Sequence, residues 1–182
     1  HDGTTYGTVT SPHTGKVWLD RNLGASQVCV SSDDTACYGD YYQWGRNTDG
    51  HEISSSSTTF TLATDVTTVG HGDFINAPNP PNDWAPIDSN GSVRSANWSV
   101  IDGSSVCPVG FRVPTATELA SETTDVGLSN SGDAFNSFLK LPVACNRNFS
   151  AGVLYPGGTV NLWTSSPSTT DSTESYPLIF YS

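Results

Sequence analysis

The chain has 182 residues, four cysteines and a formal net charge of −11. This length fits one domain with a substantial core, so we expect a single domain over residues 1–182. Only 7 basic side chains oppose 18 acidic ones, which leaves no electrostatic basis for binding nucleic acid or an anionic membrane surface. No apolar run of about 18 residues is present, so membrane insertion is not expected either.

The composition favours secretion, and in an oxidising compartment the four cysteines would form two disulfides. Charged residues make up only 14% of the chain, a composition common in extracellular proteins rich in turns. The cysteines have no C-x-x-C spacing, which disfavours a zinc site and leaves three possible disulfide pairings. The short polar stretch between Cys29 and Cys37 favours a local bridge, with Cys107 and Cys145 as the second pair. We therefore expect a secreted protein.

The first third of the chain predicts β-structure. Residues 4–23 contain two runs of β-branched and aromatic residues around the turn SPHTG, which is typical of a hairpin. The segment GDYYQWGR at residues 39–46 follows, and alternation would place Tyr42 and Trp44 on one face of a strand. Tyr41 and Gln43 would lie on the other face, and we expect at least one aromatic face of this strand to be buried.

Residues 47–106 have no regular periodicity. They are rich in Ser, Thr, Asn, Asp, Pro and Gly. An irregular segment of this length inside a domain is unusual, and such loops are often functional. We expect a binding site here.

Two helices are predicted after this loop. Residues Thr115 and Glu118 form a T-x-x-E capping box, so a helix should begin there and end at Gly127. A second helix is expected over residues 132–141, ended by Pro142. The remainder predicts late strands in VACNRNF, NLWTSS and SYPLIFYS, with turns between them at YPGG and in a polar stretch, and Pro177 at a strand start or an edge.

Seven motifs together resemble one known family, the Fibrobacter succinogenes major paralogous domain family. They occur in the family's order and span nearly the whole chain: TGKVWLDRNLGAS, YGDYYQWGR, DGHE, NDWAP, CPVGFRVPTATEL, LPVACNRNFSAG and LWTSSPS. The chain is also similar to ligand-binding domains of giant calcium-dependent bacterial adhesins of the repeats-in-toxin type, some of which capture the free C-terminus of a peptide.

The resemblance implies a fold and a location. The fold would be α+β and C-type lectin-like, with twisted antiparallel sheets, two short helices and a long irregular loop region. The protein would be a monomeric domain of a larger secreted chain on a bacterial cell surface. Family members continue past the position of Tyr181 with a strand that ends in a cysteine, whereas this sequence stops at Ser182. Either the C-terminus is truncated or the domain closes differently, with Cys145 replacing that cysteine as the partner of Cys107.

Calcium is the expected cofactor. Ten acidic residues lie between Asp33 and Asp102, against two arginines. Irregular loops can present the six to eight hard oxygens that Ca²⁺ prefers. The alternative is a solvated acidic face, or aspartates that cap turns. The lectin-like resemblance favours four of these acids as ligands: Asp73, Asp83, Asp88 and Asp102.

Three further residues are candidates for ligand contact. Trp84 and Trp98 lie in the polar loop, where an exposed ring could stack on a sugar or clamp a peptide side chain; a buried ring would instead pin the loop to the body. Arg46 follows a predicted strand beside the acidic loop and could pair with a ligand carboxylate. Arg112 is expected to bind loop carbonyls instead.

No catalytic motif surrounds any of the four histidines, so we do not expect an enzyme. We expect a non-catalytic extracellular recognition module of a bacterial adhesin that binds a protein or peptide on another cell, with calcium. A free C-terminus would suit such a site. The alternatives are a glycan-binding lectin-like domain and a structural spacer or filament module.

Overall fold

The regular elements of the fold are short and are joined by long loops. The computed structural model describes residues 3–155, 158–168, 175 and 177–181. Within these residues, the α-helices are α1 (Ser92–Trp98), α2 (Ala116–Glu122) and α3 (Ser131–Asn136). The strands are β1 (Thr8–Thr10), β2 (Val17–Leu19), β3 (Thr58–Thr59), β4 (Phe74–Ile75), β5 (Asn146–Arg147), β6 (Leu154–Tyr155), β7 (Val160–Leu162) and β8 (Leu178–Phe180). Single 3-10 turns occupy Thr35–Cys37, Pro86–Asp88 and Thr124–Val126.

The described strands pair into four two-stranded sheets. Strands β1 and β2 form the predicted antiparallel hairpin, in the register Val9 opposite Trp18. The pairs β5–β6 and β7–β8 are also antiparallel, whereas β3 and β4 are parallel. Pro177 immediately precedes β8, as predicted, while Pro156 and Gly157 of the predicted YPGG turn lie outside the described residues. The fold is therefore a mixture of helices and small sheets, in agreement with α+β.

The predicted strand at residues 39–46 is wrong. This segment turns instead, because Arg46 donates its backbone N–H to the carbonyl of Gln43 and Gly45 has a φ of 78°. A Cβ at Gly45 would lie 2.2 Å from Cβ of Arg94, so the turn packs backbone against α1. The predicted burial is nevertheless found, since only 3% of Trp44 is exposed.

The capping-box helix is confirmed. The Thr115 hydroxyl accepts the N–H of Glu118, and the Glu118 carboxylate accepts the N–H of Thr115. Helix α2 ends at Glu122, and a 3-10 turn carries the chain to Gly127, which adopts a φ of 90°. Helix α3 begins after the cap Asn130 and is shorter than predicted, because Ser137 is already extended.

Helix α1 lies inside the segment for which no helix was predicted. Its cap comes from a separate turn: the two carboxylate oxygens of Asp88 accept the N–H groups of Val93 and Arg94. Arg94 and Trp98 lie one turn apart on the buried face of the helix. The guanidinium of Arg94 stacks on the rings of Trp44 and Trp84, with centroid distances of 5.4 and 5.3 Å.

The core is divided into three hydrophobic clusters. The first contains Trp44, Trp98, Val106, Cys107 and Val113; the second contains Ala63, Val66, Ile75, Trp84 and Ala85; the third contains Ala134, Leu139, Leu141, Val160 and Phe180. The first two support the long loop, and the third lies under α3 and the last sheet. The long loop is therefore packed against its own core.

One of the two predicted disulfides is present. Cys29 and Cys37 are bonded, with a Cα–Cα distance of 5.1 Å. Cys107 and Cys145 are not bonded, so the predicted second bridge is wrong in this structure; both are buried thiols. Cys107 packs in the first cluster, and the thiol of Cys145 donates to the carbonyl of Val143 at 3.2 Å.

Candidate functional site

A surface cleft of about 340 Å³ lies between two loops of the long irregular segment. One wall is formed by residues 46–49 and the other by residues 66–72. Polar groups dominate the rim: Asn47, Thr48, Asp49, Thr67, Thr68 and His71. The cleft therefore offers hydroxyl, carboxylate, amide and imidazole groups to a polar ligand.

Arg46 joins the two walls from behind. Its Nε donates to the carboxylate of Asp49 at 2.8 Å, on the first wall. Its terminal nitrogens donate to the carbonyl oxygens of His71 at 2.6 Å and Asp73 at 3.0 Å, on the second. No part of the Arg46 side chain is exposed, and burial lowers the pKa of its guanidinium. The cleft is thus held in one shape before any ligand arrives.

The predicted role of Arg46 as a direct ligand contact does not fit this placement. A ligand carboxylate would have to enter the interior and displace the carbonyls of His71 and Asp73 or the carboxylate of Asp49. The guanidinium also lies 5.7 Å from the ring centroid of Trp84. Arg46 therefore positions the cleft from its inner wall, with no part of its side chain exposed.

Behind the first wall, Asp49, His51 and Glu52 form a compact cluster, the acid–histidine cluster. Their ligand atoms lie within 4.8 Å of one another. Nε2 of His51 accepts the backbone N–H of Gln43 at 3.0 Å, which assigns the proton to Nδ1 and a donor role toward the Asp49 carboxylate at 2.8 Å. Burial lowers the pKa of His51, so the neutral ring is favoured.

The acid–histidine cluster is closed by its own hydrogen bonds. Glu52 accepts the N–H groups of Asp49 and Gly50, and the second oxygen of Asp49 receives Arg46. A metal ion at His51 would have to displace either the Gln43 amide or the Asp49 carboxylate, since both ring nitrogens are engaged. The cluster orders the loop.

Trp84 and Trp98 are buried, with exposures of 7% and 2%. Their indole N–H groups donate to the carbonyls of Trp44 and Arg46, each at 3.2 Å. Both rings therefore pin the long loop to the turn after Trp44, which is the pin alternative considered above. Neither ring is exposed at the surface.

Asp83 and Asp88, two of the four predicted calcium ligands, surround Arg94. The Asp83 carboxylate forms an ion pair with the Arg94 guanidinium, and Asp88 caps α1. Burial raises the pKa of Asp83. The positive charge that calcium would supply at Asp83 is provided by an arginine, and the Asp88 carboxylate is occupied by two backbone N–H groups.

Asp73 and Asp102 lie elsewhere. Asp102 is exposed and accepts the N–H and hydroxyl of Ser104, which lower its pKa. Asp73 is half-buried at the end of the second wall. Among the described residues, the acid–histidine cluster is the one group of three or more His, Cys, Asp or Glu side chains within reach of a single ion. The four predicted acids do not form such a group.

A larger cavity of about 670 Å³ lies between the three hydrophobic clusters. Aromatic and aliphatic side chains line most of it, and both buried thiols, Cys107 and Cys145, contribute to its wall. Burial raises the pKa of the Cys107 thiol to about 12. At neutral pH this group is therefore an inert thiol and not a nucleophile.

Sequence reasoning missed the residues that organise the cleft. The motifs that contain Gln43, Asp49, His51 and Glu52 do not predict a role for these residues in forming a cleft. The available signal was the run DGHE, in which a histidine stands between two acids. The partner of that histidine is a backbone amide, which no side-chain pattern reveals.

No family model, curated protein or solved structure matches the chain. Among the described residues, no helix is long and apolar enough to cross a membrane. The Cys29–Cys37 bridge is consistent with an extracellular protein.

Proposed function

We propose that this chain is a non-catalytic recognition domain of a secreted bacterial surface protein, and that the cleft between residues 46–49 and 66–72 is its ligand surface. The ligand is a protein or peptide, held through polar main-chain and terminal groups. The fold is C-type lectin-like in this proposal, and the parent protein is an adhesin of the repeats-in-toxin type.

One observation carries the proposal: a single buried guanidinium ties together both walls of the cleft. Arg46 contacts Asp49 on one side, and His71 and Asp73 on the other. A binding surface that is ordered in advance loses less conformational entropy when its ligand arrives. Burying an arginine costs free energy unless its donors are hydrogen-bonded. Binding residues are often found on loops that are held in position, so a loop ordered in this way is suited to recognition.

The composition of the cleft favours a peptide over a glycan. Its described lining residues include no Trp, Tyr or Phe on which a sugar ring could stack. They do include hydroxyl groups from Thr48, Thr67 and Thr68, which suit the alternating donors and acceptors of a polypeptide. The glycan-binding domain and the structural spacer remain the alternatives that the experiment separates.

Calcium dependence is part of the proposal. It is supported by the ten acids between Asp33 and Asp102, which give this segment a strongly negative field. Asp73 is the predicted ligand nearest to the cleft, because its backbone oxygen binds Arg46. The Asp83 carboxylate is already balanced by the Arg94 guanidinium, and the Asp88 carboxylate accepts the N–H groups of Val93 and Arg94.

The test is a binding screen on one array. It carries peptides with free C-termini, the same peptides amidated, and glycans, each probed in calcium and in chelator. We expect binding to free C-termini that requires calcium. Binding only to glycans would support the lectin alternative, and binding to nothing on the array would support the spacer.

A matched pair of variants locates the surface. Thr68→Glu adds bulk and negative charge to the cleft rim, and Thr117→Glu makes the same change on the exposed side of α2. We expect Thr68→Glu to weaken peptide binding at least about tenfold, equal to about 1.4 kcal/mol, and Thr117→Glu to leave it unchanged. Equal binding by both variants would place the ligand elsewhere.

A further inference from the structure

His51 holds the first wall of the cleft through a bond that only the neutral ring can make. Its Nε2 accepts the backbone N–H of Gln43 at 3.0 Å, and neither residue is more than 6% exposed. No proton can be added to Nε2 while that amide points at it. A charged His51 therefore requires Gln43 to move away.

The groups around the ring determine whether a proton can be accommodated. The carboxylates of Asp49 and Glu52 lie 2.8 and 3.3 Å from Nδ1 and favour a charged ring. The charge of Arg46 and the burial of the ring oppose it, and burial is the larger effect on the pKa. The edge of Tyr42 packs on the ring at a centroid distance of 5.8 Å. The guanidinium of Arg147 faces the backbone carbonyl of His51.

Gln43 transmits a change at His51 to the cleft. Its side-chain oxygen accepts Arg46 at 2.8 Å and the N–H of Ile75 at 3.0 Å. Its carbonyl accepts the N–H of Arg46 at 3.0 Å. Displacing Gln43 thus disturbs the arginine that ties the two walls together.

We propose that His51 makes the cleft acid-sensitive: the neutral ring keeps the walls closed, and protonation at Nε2 opens them. A ligand held near neutral pH is then released on acidification. The release rests on the proposed function, because it matters only if the cleft is the ligand surface. The opening itself does not depend on any ligand.

The expected size of the effect follows from proton linkage. An opened His51 takes up a proton near the ordinary histidine pKa of about 6.5, whereas the closed ring resists it. Between about pH 6.5 and the lower pKa of the closed ring, the opening equilibrium should shift toward the open form by up to about tenfold per pH unit. Above about pH 6.5 it should be independent of pH.

A second histidine must be separated from this effect. His71 lies on the opposite wall, and its Nδ1 accepts the N–H of Asp73 at 3.1 Å. Its ring is partly exposed. The variants His71→Gln and His13→Gln serve as controls, the first for the facing wall and the second for an exposed histidine away from the cleft.

The test uses amide hydrogen exchange of the ligand-free protein, followed by NMR between about pH 7.5 and about pH 4.5, a range that brackets the ordinary pKa of about 6.5. The protection of the Gln43 amide is corrected for intrinsic exchange and compared with that of Leu119 in α2, which bonds to Thr115. We expect the Gln43 protection to fall with acidification in the wild type, His13→Gln and His71→Gln. It should stay constant in His51→Gln, whose amide oxygen can accept the Gln43 N–H without titrating.

Constant Gln43 protection in the wild type, or the same fall in His51→Gln, would overturn the proposal. If His51→Gln does not fold, the ring ¹⁵N shifts of wild-type His51 are measured instead, because they report whether Nε2 carries a proton. A protonated Nε2 while the Gln43 amide is still protected would also overturn the proposal. The exchange experiment uses no ligand. A failed peptide screen would therefore count against the proposed function and not against the acid-sensitive opening.

Discussion

The guanidinium of Arg46 donates to the carbonyl oxygen of His71 across 2.6 Å, and this contact spans two loops that no described strand pairing connects. A backbone carbonyl in a loop would ordinarily be hydrated or paired in a ladder. Here a buried side chain takes the place of the neighbouring strand. The link between these two loops therefore depends strongly on Arg46.

Replacing Arg46 should be much more costly than replacing an exposed arginine. Arg46→Met leaves the buried groups of Asp49, His71 and Asp73 without their donor, so we expect the free energy of unfolding in urea to fall by about 3–5 kcal/mol. Arg112→Met removes a partly exposed ion pair with Glu118 and should cost about 1 kcal/mol. Similar small losses in both variants would mean that water replaces Arg46 without penalty.

The segment CPVGFRVPTATEL should prove to be scaffold. Thr115→Ala removes the hydroxyl that caps α2 and should lower the free energy of unfolding by about 1 kcal/mol. Thr117→Ala, on the exposed face of the same helix, should stay within about 0.5 kcal/mol of the wild type. Peptide affinity should be equal in both variants. A loss of affinity in Thr115→Ala at unchanged stability would assign this segment to the ligand site.

Peptide mapping of the unreduced protein should find the Cys29–Cys37 crosslink and reduced thiols at Cys107 and Cys145. Cys107 and Cys145 should react slowly with an alkylating agent in the native protein, because both are buried and the pKa of Cys107 is about 12, and rapidly in urea. The double variant Cys29→Ser, Cys37→Ser should lose about 2–3 kcal/mol of stability. Recovery of a Cys107–Cys145 crosslink would instead support the second disulfide predicted from the sequence.

Glu118 should make stability sensitive to acid. Hydrogen bonds from Arg112 are the main cause that lowers the pKa of Glu118 to about 2. Because this is below the unfolded value of about 4.3, the contribution is complete above that value and is lost as pH falls toward about 2. The stability difference between the wild type and Glu118→Gln, measured by urea unfolding, should therefore shrink between pH 4.3 and 2. A difference that stays constant over this range would contradict the assignment.

The sequence predicted those elements that are determined within a few residues. The β1–β2 hairpin, the capping box at Thr115 and the Cys29–Cys37 bridge each depend on neighbours close in the chain. Helix α1 was missed because its cap, Asp88, belongs to a separate turn and not to the residue before the helix. A helix that is capped from a separate turn has no capping signal in the residue before its first turn.

The site was predicted less well because burial there is decided over long distances. Arg46 looks like a surface cation in the sequence, and only the carbonyls of His71 and Asp73 place it in the interior. Asp83 resembles a metal ligand until the Arg94 guanidinium is seen beside it, and Asp88 until its carboxylate is seen to cap α1. A cation can be a metal or an arginine, and the acidic residues alone do not distinguish the two.

Three arginines, Arg46, Arg94 and Arg147, hold the irregular loops by donating to backbone carbonyls. Guanidinium chloride supplies the same planar donor as a free solute. In that denaturant, guanidinium ions can compete with the arginine side chains for each of these carbonyls. Urea can compete only with uncharged N–H donors. In ordinary proteins the guanidinium midpoint of unfolding is about half of the urea midpoint. We expect the loops of this protein to unfold at a guanidinium concentration well below that half. The α2 region should unfold at the ordinary ratio of the two midpoints. The choice of denaturant becomes a probe of which parts of this fold depend on arginine.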